Sequence, residues 1–286
     1  MLVAAGAFLG SIAAGILILA GCRHIMEHVP RVVNYAGREV PTAAGFLFVP
    51  VYLLAYVVAR ALVEYPARMV FGPAESLLVL LLGMCFLGLL DDVLDDGESS
   101  GFKGHVRAVL SGRVTTGFIK ALGGFLVAVA ASLPFSTHLW ELLLNAALIA
   151  LCANLFNLLD MRPGRALKVF IPALAGVVAL NWDLLDYFVP YLLSVGAVAL
   201  VLLPGDLSRR FMLGDAGSNV LGATIGLGVA MGAGDWWKLG ILLFIAFLTL
   251  LSEKYSFSRA ISSNRLLNWM DWLGRKGERP GGANYK

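Results

Sequence analysis

Nine apolar runs divide this chain, and each approaches the roughly 20 residues an α-helix needs to cross a hydrocarbon core about 30 Å thick. They cover residues 2–21, 43–63, 74–90, 118–135, 139–157, 167–182, 188–204, 217–233 and 236–252. Hydrophobic residues make up 59% of the 286 and charged residues only 14%, with a mean hydropathy of +0.80, which excludes an ordinary soluble domain. The sixth and eighth runs are short for a full crossing, so about nine spans are expected, within a range of roughly eight to ten. None of the runs alternates as a barrel strand would, and backbone groups in hydrocarbon must be satisfied within their own segment. The expectation is an all-α, polytopic integral membrane protein.

The net charge is only +3, but its placement is informative. Segments following the first, third, fifth and seventh runs, together with the tail, carry Arg23, Arg31, Arg38, Lys103, Arg107, Arg113, Arg162, Arg165, Lys168, Arg209 and Arg210. They also carry Lys254, Arg259, Arg265, Arg275, Lys276, Arg279 and Lys286, making eighteen of the 22 Lys and Arg. The opposite side has Arg60, Arg68 and Lys238 against Glu64, Glu75, Asp183, Asp186 and Asp235. The positive-inside rule therefore predicts an N-terminus outside and a cytoplasmic C-terminus, and the alternation favours an odd number of spans. The simplest division is one membrane domain, 1–252, and a cytoplasmic tail, 253–286, whose Gly-rich end from Arg279 is expected to be disordered. No nucleic-acid partner is expected. Cys22, Cys85 and Cys152 lie in or beside apolar runs and read as small buried hydrophobes. Leu19-Ala20-Gly21-Cys22 resembles a lipoprotein cleavage box, yet no positive n-region precedes it, and Arg23 and His24 follow it as they would a retained helix.

Three polar clusters fall on one face of that topology. Asp91 and Asp92 end the third run within Phe86-Leu87-Gly88-Leu89-Leu90-Asp91-Asp92. A helix C-terminus disfavours negative charge, so a cation should offset these acids. Mg²⁺, which takes hard oxygen ligands and is commonly shared with substrate phosphates, is the natural candidate. Asp95, Asp96 and Glu98 read as a solvated acidic turn. In Asn154-Leu155-Phe156-Asn157-Leu158-Leu159-Asp160 a polar residue recurs every three positions, forming one narrow helical stripe. Such a stripe alone could be helix packing, but its terminal acid favours a site. Gly214-Asp215-Ala216-Gly217-Ser218 puts small residues and one carboxylate before an apolar helix, leaving backbone N–H groups free to face an anion.

In this order, DD, NxxNxxD and GDxGS resemble the polyprenyl-phosphate N-acetylhexosamine-1-phosphate transferase superfamily over nearly the whole chain. That superfamily includes phospho-N-acetylmuramoyl-pentapeptide transferases and undecaprenyl-phosphate GlcNAc-1-phosphate transferases. Pro41-Thr42-Ala43-Ala44-Gly45 is similar to its early Pro-Thr/Arg-x-Gly-Gly loop, and Lys103 and Lys120 follow the DD motif where the family has basic residues. The resemblance implies an Mg²⁺-dependent enzyme, with Mn²⁺ as a substitute, that moves a sugar 1-phosphate from a UDP-sugar to a polyprenyl phosphate such as undecaprenyl phosphate. UMP is released at the cytoplasmic face of the cell membrane, in the service of cell-envelope glycan synthesis. It implies Asp91, Asp92 and Asp215 as catalytic, with Asp215 and Asp92 at the metal. It implies Lys103, Lys120, Asn154, Asn157, Asp160, Gly214, Gly217 and Ser218 at the substrates, and by analogy a homodimer.

Two departures stand out. The family continues Gly-x-Asp-Gly after the stripe, where this chain has Met161-Arg162-Pro163-Gly164. Its last cytoplasmic loop carries a His-rich motif, whereas residues 253–286 contain no histidine; His24, His28, His105 and His138 lie elsewhere. A non-catalytic member and an ion- or lipid-coupled transporter stay open as alternatives. So does an intramembrane prenyltransferase reading of Asp91-Asp92-Val93-Leu94-Asp95, which would need a second Asp-rich motif.

Overall fold

The computed structural model describes residues 2–33, 37, 39–62, 71–94, 115–185 and 187–275. Among these residues it is mostly helical, with one small hairpin. The long helices are α1 (Leu2–Gly21), α3 (Phe48–Leu62), α4 (Pro73–Leu94), α5 (Thr116–Ser132), α6 (Leu139–Leu159), α7 (Arg165–Leu180), α8 (Val189–Leu207), α9 (Asp215–Gly232) and α10 (Asp235–Ser252). Short helices α2 (Arg23–His28), α11 (Phe257–Ser263) and α12 (Arg265–Trp272) flank them. Among the described residues, each of the nine apolar runs is occupied by one long helix. Seven of these are long and apolar enough to cross a membrane: α1, α3 with the 3₁₀ turn before it, α4, α5, α6, α8 and α10. The protein is membrane-embedded.

The remaining two, α7 and α9, are the sixth and eighth runs, and the reasons differ. α7 has only 16 residues with Pro172 inside it. α9 is long enough but is built from small residues because it sits at the centre of the bundle: every residue from Ala216 to Ala230 is buried. It packs against α4, α6 and α7. Lipid gives no hydrophobic drive for helices to associate, so close packing through small residues must supply the contact. A Cβ on Gly222 would lie 2.2 Å from the Cys152 carbonyl oxygen, and one on Gly226 would lie 2.7 Å from the Ile149 Cα, both on α6. This Gly-x-x-x-Gly stripe sets how deeply α9 enters the bundle.

At the opposite end of α3 and α4, Tyr52 donates to the Ala74 carbonyl at 2.7 Å, and Tyr56 donates to Glu75 Oε1 at 2.8 Å. Glu75 also pairs with Arg60 and accepts the Gly72 N–H at 2.9 Å, so the acid in the first turn of α4 is fully engaged.

The hairpin has no sequence signal, since strands of three residues leave no readable alternation. Arg31–Val33 (β1) pairs antiparallel with Glu39–Pro41 (β2), with Arg31 opposite Pro41. It delivers residues 41–45 to the start of α9. Met212 N–H donates to the Pro41 carbonyl at 2.8 Å, Ala44 N–H to the Met212 carbonyl at 3.1 Å, and Gly45 N–H to the Leu213 carbonyl at 2.9 Å.

After α10, the chain turns back along the same end of the bundle. Arg165, at the start of α7, holds Asp271 of α12 through two hydrogen bonds of 2.8 and 3.0 Å. Arg275 adds 2.7 Å to the same carboxylate and 3.1 Å to the Pro163 carbonyl. Lys168 donates to the Met270 and Leu273 carbonyls at 3.0 and 3.2 Å, satisfying groups that a helix end leaves open. Burial alone would raise the Asp271 carboxyl, but the Arg165 hydrogen bonds and the charges of Arg165, Arg275 and Lys168 outweigh it and hold the pKa below the usual range. The first part of the tail is thus a docked element. Residues 276–286, including the expected disordered end, lie outside the described residues.

Candidate active site

The three motif segments converge at one end of the bundle. Lys120, in the first turns of α5, donates from Nζ to Asp91 Oδ2 at 2.9 Å and also bonds Asp215 Oδ2. Asn157 Nδ2 donates to that same Asp215 oxygen at 3.2 Å. Asp91, Lys120 and Asp215 side chains are 18%, 18% and 24% exposed, low enough to strengthen their attraction and open enough for a ligand to reach them. Lys120 thus offsets negative charge at the end of α4.

Adjacent residues on a helix point about 100° apart, and here that separates two roles. Asp92 faces the start of α9, where its Oδ1 accepts the Asp215 N–H at 3.1 Å and its Oδ2 accepts the Ala216 N–H at 3.2 Å. It is a helix cap supplied from another helix, favoured by the positive end of the α9 dipole. Both oxygens of Asp92, expected at the metal together with Asp215, accept backbone donors, and Asp91 is the acid that shares the Lys120 ammonium with Asp215. Two acids at one helix C-terminus are each compensated, one by Lys120 and one by a helix N-terminus.

Glycine makes these approaches possible. A Cβ on Gly88, one turn before Asp92, would lie 2.4 Å from the Asp215 backbone, and one on Gly45 would lie 2.0 Å from the Gly217 Cα. Gly214 has φ of 71°, and a Cβ there would meet Ala43 N, Thr42 Oγ1 and Asp92 Oδ2 at 2.6 to 2.7 Å. The small residues of GDxGS and of residues 41–45 therefore serve one purpose, which is to bring α4, α9 and the hairpin loop together.

Not every expected site residue joins the cluster. Asn154 is exposed and has no polar partner among the described residues. Ser218 is fully buried inside α9. Lys103 lies outside the described residues. Asp160 caps α6 and accepts the Gly214 N–H; burial, then the nearby Asp206 and Asp92 carboxylates, push its carboxyl well above the ordinary range. A cleft beside it is lined by Asp160, Arg162, Asp206, Arg209, Phe211 and Met212. Asp206 of α8 carries no motif and was not singled out by the sequence. It is buried, accepts the Gly164 N–H at 2.9 Å, and brings a second acid beside Asp160 although residues 161–164 contain none.

Mg²⁺ fits the donor set. Asp91 and Asp215 offer hard carboxylate oxygens that already converge on the Lys120 ammonium, a cation standing between them. Neither a family model nor a curated protein matches this chain in comparisons with known proteins, so the site is read from its own geometry.

Proposed function

We propose that this protein is a membrane phosphosugar transferase, acting on a UDP-sugar and a polyprenyl phosphate such as undecaprenyl phosphate, with nine spans, the N-terminus outside and the site on the cytoplasmic face. What supports this most is the junction of Asp91, Lys120, Asn157 and Asp215, drawn from four helices at one end of the bundle. An ion-coupled transporter would place such acids mid-membrane on broken helices, whereas here they gather at helix ends, where a membrane-anchored phosphate and a soluble nucleotide can meet.

In the reaction, an oxygen of the lipid phosphate attacks the β-phosphorus of the UDP-sugar. A new P–O–P bond forms, the bond from that phosphorus to the bridging oxygen breaks, and UMP leaves with the electron pair. Catalysis of this kind rests on charge neutralisation and in-line positioning. Mg²⁺ held by Asp215 and Asp91 would neutralise the diphosphate charge. Lys120, which holds the two acids, would also donate to the phosphate oxygens. Asp91 orients the attacking phosphate or takes its proton, Asn157 fixes the rotamer of Asp215, and Asp92 holds the start of α9 in place. Asp160 and the arginine-bearing cleft beside it would receive the nucleotide end.

The test is UMP release by purified protein in detergent with Mg²⁺, undecaprenyl phosphate and a panel of UDP-sugars, alongside Asp215→Asn. The reading expects UMP with at least one donor and none from the variant. UMP release unchanged in Asp215→Asn would remove this site.

A further inference from the structure

At the other end of the hairpin loop, α2 carries His24, Glu27 and His28 on one exposed face. One potential ligand atom from each lies within 4.8 Å of the other two. The His28 Nδ1 lies 2.9 Å from the His24 carbonyl oxygen. A carbonyl only accepts, so Nδ1 carries the proton, and the lone pair of His28 is therefore on Nε2, pointing away from the backbone. A backbone carbonyl that fixes the tautomer in this way is the usual outer support of a metal-bound imidazole. His24 Nδ1 lies 3.6 Å from Glu27 Oε2, and the two rings meet edge to face with centroids 4.5 Å apart.

We infer that His24, Glu27 and His28 form a site for a divalent transition metal of the Zn²⁺ type, separate from the acidic cluster of the candidate active site. Two imidazoles with one carboxylate suit Zn²⁺ and Cu²⁺, whereas Mg²⁺ prefers oxygen alone, so the two sites select different ions. A tetrahedral ion with bonds of about 2.1 Å sets its ligands roughly 3.4 Å apart, closer than the 4.8 Å limit found here. His24 and Glu27 side chains are 82% and 69% exposed, so rotamer changes close that gap at little packing cost. Three protein ligands leave a fourth position to water.

The test uses the full chain without a polyhistidine tag, in detergent with millimolar Mg²⁺ present. Equilibrium dialysis against Zn²⁺ should retain about one equivalent. Because the loss of an outer-shell partner alone weakens a site 10- to 100-fold, His28→Ala and His24→Ala should each weaken binding by at least about tenfold, while His138→Ala leaves it unchanged. With Cu²⁺, electron paramagnetic resonance should show splitting from two nitrogens in the native chain and from one in each of the two variants. Zn²⁺ retention no greater than that of the His24/His28 double variant, or a Cu²⁺ spectrum unaltered by it, overturns the inference. Neither readout depends on transferase activity.

Discussion

The Asp92 carboxylate accepts the Asp215 main-chain N–H at 3.1 Å, so the helix ending in the aspartate pair also caps the helix beginning with the third acid. The relationship ties α4 and α9 together and turns Asp215 toward Lys120. It also sets two neighbouring acids in different contacts, Asp92 on the α9 backbone and Asp91 on the Lys120 ammonium.

That difference predicts unequal responses to the same substitution. Asp92→Asn keeps an oxygen for one of the two α9 N–H groups but turns an amide donor toward the other, so it should lose part of the stability and retain a measurable share of kcat, while Asp92→Ala should lose about 1 to 2 kcal/mol. Asp91→Asn and Asp215→Asn should abolish turnover with little change in thermal midpoint. Turnover and melting in detergent for the four variants check this; loss in Asp92→Asn as complete as in Asp91→Asn would assign Asp92 to the chemistry.

Lys120 occupies the position between Asp91 and Asp215 that a divalent ion would share. Lys120→Met should therefore lower the Mg²⁺ concentration at half-maximal activity even as maximal turnover falls, and chelation should silence both proteins. An Mg²⁺ requirement that rises in the variant would mean that the lysine helps to hold the ion's site.

Glycine contacts predict a steep contrast between sites. Gly45→Ala and Gly88→Ala force a Cβ to within 2.0 and 2.4 Å of the α9 backbone, whereas Gly240→Ala on α10 meets nothing within 4 Å. Overpacking costs typically about 1 to 3 kcal/mol, so the first two should lower the thermal midpoint and activity together and the third should leave both unchanged. Equal behaviour of all three would refute the close approach.

The docked tail predicts a pH dependence. The folded pKa of Asp271 is depressed, so its contribution to stability is present above the ordinary carboxylate value and is lost as the pH falls through the folded value. Asp271→Ala leaves Arg165 buried without its partner and should cost about 3 kcal/mol at neutral pH. The gap in thermal midpoint between native protein and variant should hold from about pH 8 to 5 and close only below about pH 4. A gap that closes near neutrality would contradict the ion pair.

Much of this architecture was legible beforehand because bilayer physics leaves few choices. A run near 20 apolar residues must be a helix, and DD, NxxNxxD and GDxGS were expected on one face, where the structure brings Asp91, Asn157 and Asp215 into a single cluster. The pairing of Arg165 with Asp271 was not legible, because partners 106 residues apart read only as surface charges in a charge count. Nor was the divergence of Asp91 from Asp92, since it depends on which helix each side chain meets. α9 read only as a run short for a full crossing, although its Gly222 and Gly226 already carried the signature of a buried helix contact. Asp206 gave no signal, being an isolated acid near the end of an apolar run.

Mass analysis of the lipid product tests the transfer of a sugar phosphate most directly. After incubation with Mg²⁺, undecaprenyl phosphate and UDP-sugars, the lipid should gain the mass of one sugar phosphate, with UMP in equal amount, and neither product should form with Asp215→Asn. UMP without a heavier lipid would indicate hydrolysis, and an unchanged lipid with intact donors, from folded protein, would contradict the transfer.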